Sequence, residues 1–177
     1  ARTCALPGPT VVLGGPERLV RCFGAGDQGQ LGNGRLQDSA TPVGVVGLSG
    51  RVKSVSAGGA HSCAVLTDET VRCWGDNDSG QLGDGTTADS SVPVVVVGIS
   101  GALSVSAGDN HTCASTAGQG IACWGDNSFG QLGDGTSVDS PLPRFPDASG
   151  TVSAGATHSC ANNSDVATWC WGDNTFG

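Results

Sequence analysis

Eight cysteines and three histidines recur at regular intervals in this chain. Thiols and imidazoles are the side chains that cross-link a protein, hold a metal or activate a nucleophile. Cys63/Cys73, Cys113/Cys123 and Cys160/Cys170 are each ten residues apart, and Cys4/Cys22 are eighteen apart. Each pair brackets a segment that reads as a β-hairpin: His61 to Leu66 leads into Thr67-Asp68-Glu69, and Thr70 to Trp74 returns. If Cys63 stands opposite Cys73, Ala64 faces Arg72 and Val65 faces Val71. Opposed antiparallel residues have Cα atoms ~4.5–5.5 Å apart, and a disulfide spans ~4.4–6.8 Å. Every pair can therefore bridge, each short ring contributing ~2–3 kcal/mol. Disulfides imply an oxidising compartment. Zinc is the competing chemistry, since His-x-Cys recurs at His61/Cys63, His111/Cys113 and His158/Cys160. Structural zinc favours Cys-x2–4-Cys with a second pair of like spacing, a form this chain lacks.

Two other chemistries are weighed on the same residues. Ser62 and Ser159 directly follow His61 and His158, but successive residues of a strand point to opposite faces. A catalytic site also needs unlike groups that converge, whereas these histidines occupy one repeated position. No catalytic residue is assigned, and each histidine is expected to cap a turn through a ring-nitrogen hydrogen bond. Asp76, Asp78 and Asp84, with Gly80 nearby, faintly resemble a calcium loop. Ala25 and Asn33 replace two of these positions in the first repeat, and no Glu is placed as a bidentate ligand. Asp and Asn are also favoured turn residues. The reading is no metal and no cofactor, with those three aspartates as the calcium alternative.

The elements that carry these residues repeat. Cys73-Trp74-Gly75-Asp76-Asn77 precedes Gly80-Gln81-Leu82-Gly83-Asp84-Gly85-Thr86, and Cys123 to Thr136 says the same again. Looser copies begin at Cys22 and Cys170, at offsets of 51 (73 − 22), 50 (123 − 73) and 47 (170 − 123) residues. Such a period marks a solenoid, propeller or array. Within one period, Val92 to Gly98 is β-branched and reads as a strand. Pro93 marks it as a start or an edge. Leu103, Val105 and Ala107 alternate onto one face of a second strand, and the disulfide hairpin supplies two more. Four short antiparallel strands per ~50 residues make a propeller blade. The expected fold is all-β: a single repeat domain over 1–177, with units at about 1–22 (partial), 23–73, 74–123, 124–170 and 171–177.

Composition narrows the partners. The chain has 177 residues, 30 glycines, one lysine (Lys53) and a formal net charge of −8. That acidity opposes tracking of nucleic-acid phosphate and docking on an anionic membrane. No stretch approaches the ~20 apolar residues of a membrane-spanning helix. The N-terminus Ala1-Arg2-Thr3-Cys4 has neither an initiator Met nor a signal pattern, so a removed leader or a longer parent chain is expected.

The pattern Val-x-Ser/Ala-Gly-x-x-His-x-Cys-Ala, followed by Cys-Trp-Gly-Asp-Asn-x-x-Gly-Gln-Leu-Gly-Asp-Gly-Thr, resembles the regulator-of-chromosome-condensation repeats, in their bacterial, cysteine-containing branch. The resemblance covers essentially the whole chain. It implies a β-propeller, usually seven-bladed, of which this chain would supply about three and a half blades. It also implies that Gly29-Gln30-Leu31-Gly32, Gly80-Gln81-Leu82-Gly83 and Gly130-Gln131-Leu132-Gly133 are turn architecture, and that the family's common thread is protein–protein binding across one face of the disc. Its members include a nucleotide exchange factor for a nuclear GTPase, chromatin binders, ubiquitin-ligase accessory domains and secreted β-lactamase inhibitors. No exchange-factor residue can be matched here.

The recurrent Trp74, Trp124 and Trp171 are expected between blades. Trp169, Phe129 and Phe176 break the period, and become the candidate partner-binding residues because aromatic anchors are enriched in interfaces. The functional expectation is a non-enzymatic, secreted or cell-surface module, binding or structural, with a protein partner and no nucleic acid. The ring is expected to be completed by more chain, another protein or a second copy. An inhibitor or regulator of an extracellular enzyme is the alternative, and a carbohydrate-binding module the third reading.

Overall fold

The computed structural model describes residues 2–5, 20–48, 50–163 and 167–175. Strands carry the fold, and no helix is present among the described residues. They form four antiparallel sheets in which chain neighbours are sheet neighbours. The first sheet has β1 (Arg2–Ala5), β2 (Arg21–Gly24) and β3 (Ser39–Gly44). The second has β4 (Val52–Ala57), β5 (His61–Leu66), β6 (Val71–Gly75) and β7 (Ser90–Val95). The third repeats it with β8 (Ala102–Ala107), β9 (His111–Thr116), β10 (Gly120–Gly125) and β11 (Ser140–Arg144). The fourth has β12 (Thr151–Ala154), β13 (His158–Asn162) and β14 (Thr168–Gly172). These are propeller blades. A sheet takes its first three strands from one cysteine-to-cysteine unit and its outer strand from the start of the next, so unit 74–123 holds β7 to β10.

The cysteine arithmetic sets the hairpin registers. Cys4↔Cys22, Cys63↔Cys73, Cys113↔Cys123 and Cys160↔Cys170 are directly opposed. All four pairs are bridged, with Cα atoms 4.1 to 4.2 Å apart, and Ala64↔Arg72 and Val65↔Val71 follow as expected.

The core lies between the blades. Strand alternation sends Cys63, Val65, Val71 and Cys73 toward the third blade, where they meet Val105, Ala114, Ala122 and Trp124. The opposite face of the second blade sends Ala64, Leu66 and Trp74 toward Cys22, Leu31 and Val45 of the first. Both faces of a blade are thus apolar, which is why β5 and β9 are buried at every position. The first three disulfides sit on the face turned to the next blade.

Two expectations shift. The outer strand of the second blade is Ser90–Val95 and not 92–98. Ser90 pairs Gly75 and its hydroxyl donates to Val92 O at 2.6 Å, closing the turn into the strand. Pro93 does lie in an outermost strand. Leu103 does not share a buried face with Val105: a bulge between Ala102 and Ser104 breaks the alternation, leaving Leu103 exposed and Val105 buried.

Candidate functional site

Two of the three histidines, His61 and His111, lie at the seams, while His158 is exposed. A turn-capping role is replaced by a bond to the next blade: His61 Nε2 stands 2.7 Å from Thr112 Oγ1, and His111 Nε2 stands 2.9 Å from Ser159 Oγ. Each hydroxyl donates to the backbone carbonyl of the preceding blade's Gly-Gln-Leu-Gly loop: Thr112 to Gln81 at 2.9 Å and Ser159 to Gln131 at 2.9 Å. The hydroxyl oxygen therefore accepts from the imidazole, which makes each ring the Nε2–H tautomer. The same carbonyl takes a second bond from the tryptophan that follows the cysteine. Trp74 Nε1 donates to Gln30 O at 3.0 Å, Trp124 Nε1 to Gln81 O and Trp171 Nε1 to Gln131 O at 2.8 Å each. One carbonyl thus locks two strands of the next blade.

Glycine makes this approach possible at two places. A methyl on Gly108 would lie 2.4 Å from His111 Cε1, and one on Gly83 would lie 2.7 Å from Trp124 Nε1. Gly83 also has φ +71°, in the left-handed region.

This Ser–His proximity is not a nucleophile and its base. The Ser159 proton is committed to Gln131 O, both partners are buried, and His111 Nδ1 has no hydrogen-bond partner among the described residues to orient it. Burial pushes His111 down to about 4; His158 acts in the same direction, and Asp126 and Asp109 oppose it. The unfolded chain takes up this proton near 6.5, whereas the folded chain refuses it until about 4. Stability from the neutral ring is therefore present above pH 6.5 and is lost as pH falls toward 4, by about 3 kcal/mol. Urea unfolding between these pH values should show this slope, and His111→Gln should flatten it.

The aspartates resolve differently from the expected trio. Carboxylate oxygens of Asp76, Asp78 and Asp89 lie within 4.8 Å of one another. Asp84 stands apart, accepting from Thr86 N at 2.9 Å and Thr86 Oγ1 at 2.8 Å. Asp89 was missed because it is eleven residues from Asp78 and reaches the cluster only when the loop folds back, with its Oδ1 2.7 Å from Asn77 N. Burial raises Asp76, with Asp89 and Asp78 adding like charge. In the third blade Ser128 replaces Asp78. Burial also presses Asp126 upward, but the Ser128 hydroxyl and amide, donating at 2.6 and 3.0 Å, hold it below the usual range. Asp78→Ser should therefore move Asp76 downward toward its third-blade counterpart, measured by carboxyl-carbon NMR titration.

Of the candidate partner residues, Phe129 is 52% exposed and Trp169 45% exposed, while Phe176 lies outside the described residues. Trp169 occupies the column of Arg72 and Ala122 on β14, paired with Ala161. Phe129 stands in the third loop, where its amide donates to Gln131 Oε1 at 2.9 Å. The hydroxyl column Ser62, Thr112 and Ser159, unassigned from the sequence, proves to be the seam's link; its signal was a hydroxyl in all three copies.

Sheets stacked face to face around buried seams define a repeat propeller. Models of the regulator of chromosome condensation (RCC1) repeat match residues 20–65, 68–115 and 123–161, and in a second form 52–81 and 103–131. The chain belongs to the RCC1 repeat family. Over 83 residues it is 41% identical to the ultraviolet-B receptor UVR8 of Arabidopsis thaliana, a match covering 46% of this chain and 19% of the receptor. Human WBSCR16 superposes with a TM-score of 0.75 at 24% identity, over 86% of this chain and 42% of that one. Prp20p of Saccharomyces cerevisiae, described with its binding to Gsp1p and histones, gives 0.75 at 23% identity, over 88% and 41%. The chain thus spans less than half of each relative.

Proposed function

We propose that this chain is a non-enzymatic, protein-binding propeller module of an oxidising, extracytoplasmic compartment, working as a structural part of a larger assembly. One observation carries the reading: the seam histidines His61 and His111 and the hydroxyls they meet are buried and repeated, while the exposed aromatics Phe129 and Trp169 break the repeat. Chemistry that is distributed by symmetry builds a scaffold. Irregular exposed aromatics suit a partner surface. Four bridged hairpins support an oxidising setting. Binding to other proteins, as described for Prp20p, fits the same reading.

Native mass spectrometry of the unreduced protein from its source tests it. The expected result is this chain in complex with an unlike chain, eight protons lighter than its reduced mass. Eight titratable thiols in the native protein would overturn the oxidising compartment, and a lone monomer would overturn the assembly role.

A further inference from the structure

Asn-x-Ser/Thr, with any residue but proline at x, is the acceptor pattern for N-linked glycosylation. It occurs at Asn77-Asp78-Ser79, Asn110-His111-Thr112 and Asn162-Asn163-Ser164. The third ends at Ser164, outside the described residues. The fold treats the first two in opposite ways. Asn77 is wholly buried. Its Nδ2 donates to Thr86 O at 3.1 Å and to Ala88 O at 3.0 Å, and its Oδ1 accepts from Leu82 N at 2.9 Å. Those bonds close the loop over 76–89. A sugar on that nitrogen has no room, so a chain modified there cannot close the loop.

Asn110 is exposed in the turn between β8 and β9. The turn uses its backbone and not its side chain. Asp126 N donates to Asn110 O at 2.9 Å, as Asp76 N does to Ala60 O at 2.9 Å and Asp173 N to Thr157 O at 3.0 Å. Ala60 and Thr157 hold the same place in their blades, so the turn does not require a carboxamide. Both flanking blades are docked here. Gly59 N of the second donates to Asp109 O at 3.1 Å, and Asp109 N donates to Ala156 O of the fourth at 3.2 Å. With both neighbours in place, residue 110 still faces solvent.

Thr112 sets the order of events. Its hydroxyl completes the acceptor pattern, yet in the folded protein it is buried. There it donates to Gln81 O at 2.9 Å and accepts from His61 Nε2 at 2.7 Å. A transferase that reads this hydroxyl reaches it only before the seam between the second and third blades closes.

We propose that Asn110 carries an N-linked glycan, transferred before that seam forms and displayed afterwards on the disc face that holds the β8–β9 turn. Asn110 Nδ2 attacks the anomeric carbon of an oligosaccharide carried on a polyisoprenyl pyrophosphate. The C–N bond forms and the C–O bond to phosphate breaks. The pyrophosphate leaves with the electron pair, and one amide proton passes to a base of the transferase. The inference rests on the oxidising, extracytoplasmic setting proposed above, since this modification belongs to secreted chains.

The test is peptide mapping of the unreduced protein from its source, after a peptide-N-glycosidase has acted in heavy-oxygen water. The glycosidase turns a glycosylated Asn into an Asp that holds the heavy oxygen. The expected map has the mark at residue 110, none at Asn77, and Cys113 bridged to Cys123. Asn110→Ala places the second blade's own residue in the turn, so the fold is kept. It should remove one glycan's mass from the intact protein and leave the urea midpoint unchanged. Retention of that mass overturns the assignment. An unmarked Asn110 beside bridged cysteines overturns the glycan and leaves the compartment standing. An unmarked Asn110 with free thiols at Cys113 and Cys123 overturns both. A marked Asn77 overturns the selection by burial on which the proposal stands.

Discussion

Reduction of the four disulfides is expected to unfold this protein at room temperature. Closing a ten-residue ring in the denatured chain is worth about 2.5–3 kcal/mol, and the eighteen-residue ring slightly more. Four such rings come to about 10 kcal/mol, the same order as the whole stability of a domain this size. The loss should come in a defined order. Cys63, Cys73, Cys113 and Cys123 are wholly buried in the seams, whereas Cys170 is exposed and Cys160 half-buried. The Cys160–Cys170 bridge should therefore open first and leave the tryptophan near-ultraviolet signal largely intact. The Cys63–Cys73 and Cys113–Cys123 bridges should open together with that signal. Alkylation and peptide mapping across a dithiothreitol series, alongside circular dichroism, measures both. Simultaneous opening of all four with the spectrum unchanged would show that apolar seams alone hold the blades.

Much of this arrangement could be read from residue order, and each exception has a physical cause. Ten-residue cysteine spacing is a local quantity: it states how far a strand runs before it turns, and the hairpin registers follow from it. The tryptophan after each cysteine could be placed between blades because a large ring recurring with the period needs a recurring pocket. The seam bonds escaped because they join atoms some 30 to 50 residues apart. Gln81 O joins Trp124 and Thr112, and a backbone carbonyl leaves no mark on sequence. Asp89 enters its cluster through a loop closure, again invisible to a count of neighbours. Leu103 defeats strict alternation because a bulge needs only one extra residue to reverse a side chain.

The seam itself yields the second large effect. Trp124→Ala removes the largest side chain of the second seam, which is fully buried, and should cost about 3–5 kcal/mol. Trp124→Phe keeps most of the ring but withdraws the donor from Gln81 O, which retains Thr112 at 2.9 Å. About 1 kcal/mol is expected for the lost hydrogen bond. Trp171→Ala should cost less, because Trp171 is only partly buried. Gly83→Ala isolates the reason for the glycine. Its methyl would sit 2.7 Å from Trp124 Nε1, on a backbone at φ +71°. Alone it bears both the clash and the left-handed penalty. Combined with Trp124→Ala it bears only the penalty of about 1–2 kcal/mol. The double variant should therefore be more stable than the sum of the singles, by well over the ~0.5 kcal/mol scatter of independent sites. Urea denaturation of the four proteins of this cycle measures the coupling. Additivity would mean that Gly83 serves only its own turn, and that the blades are not spaced by glycine against indole.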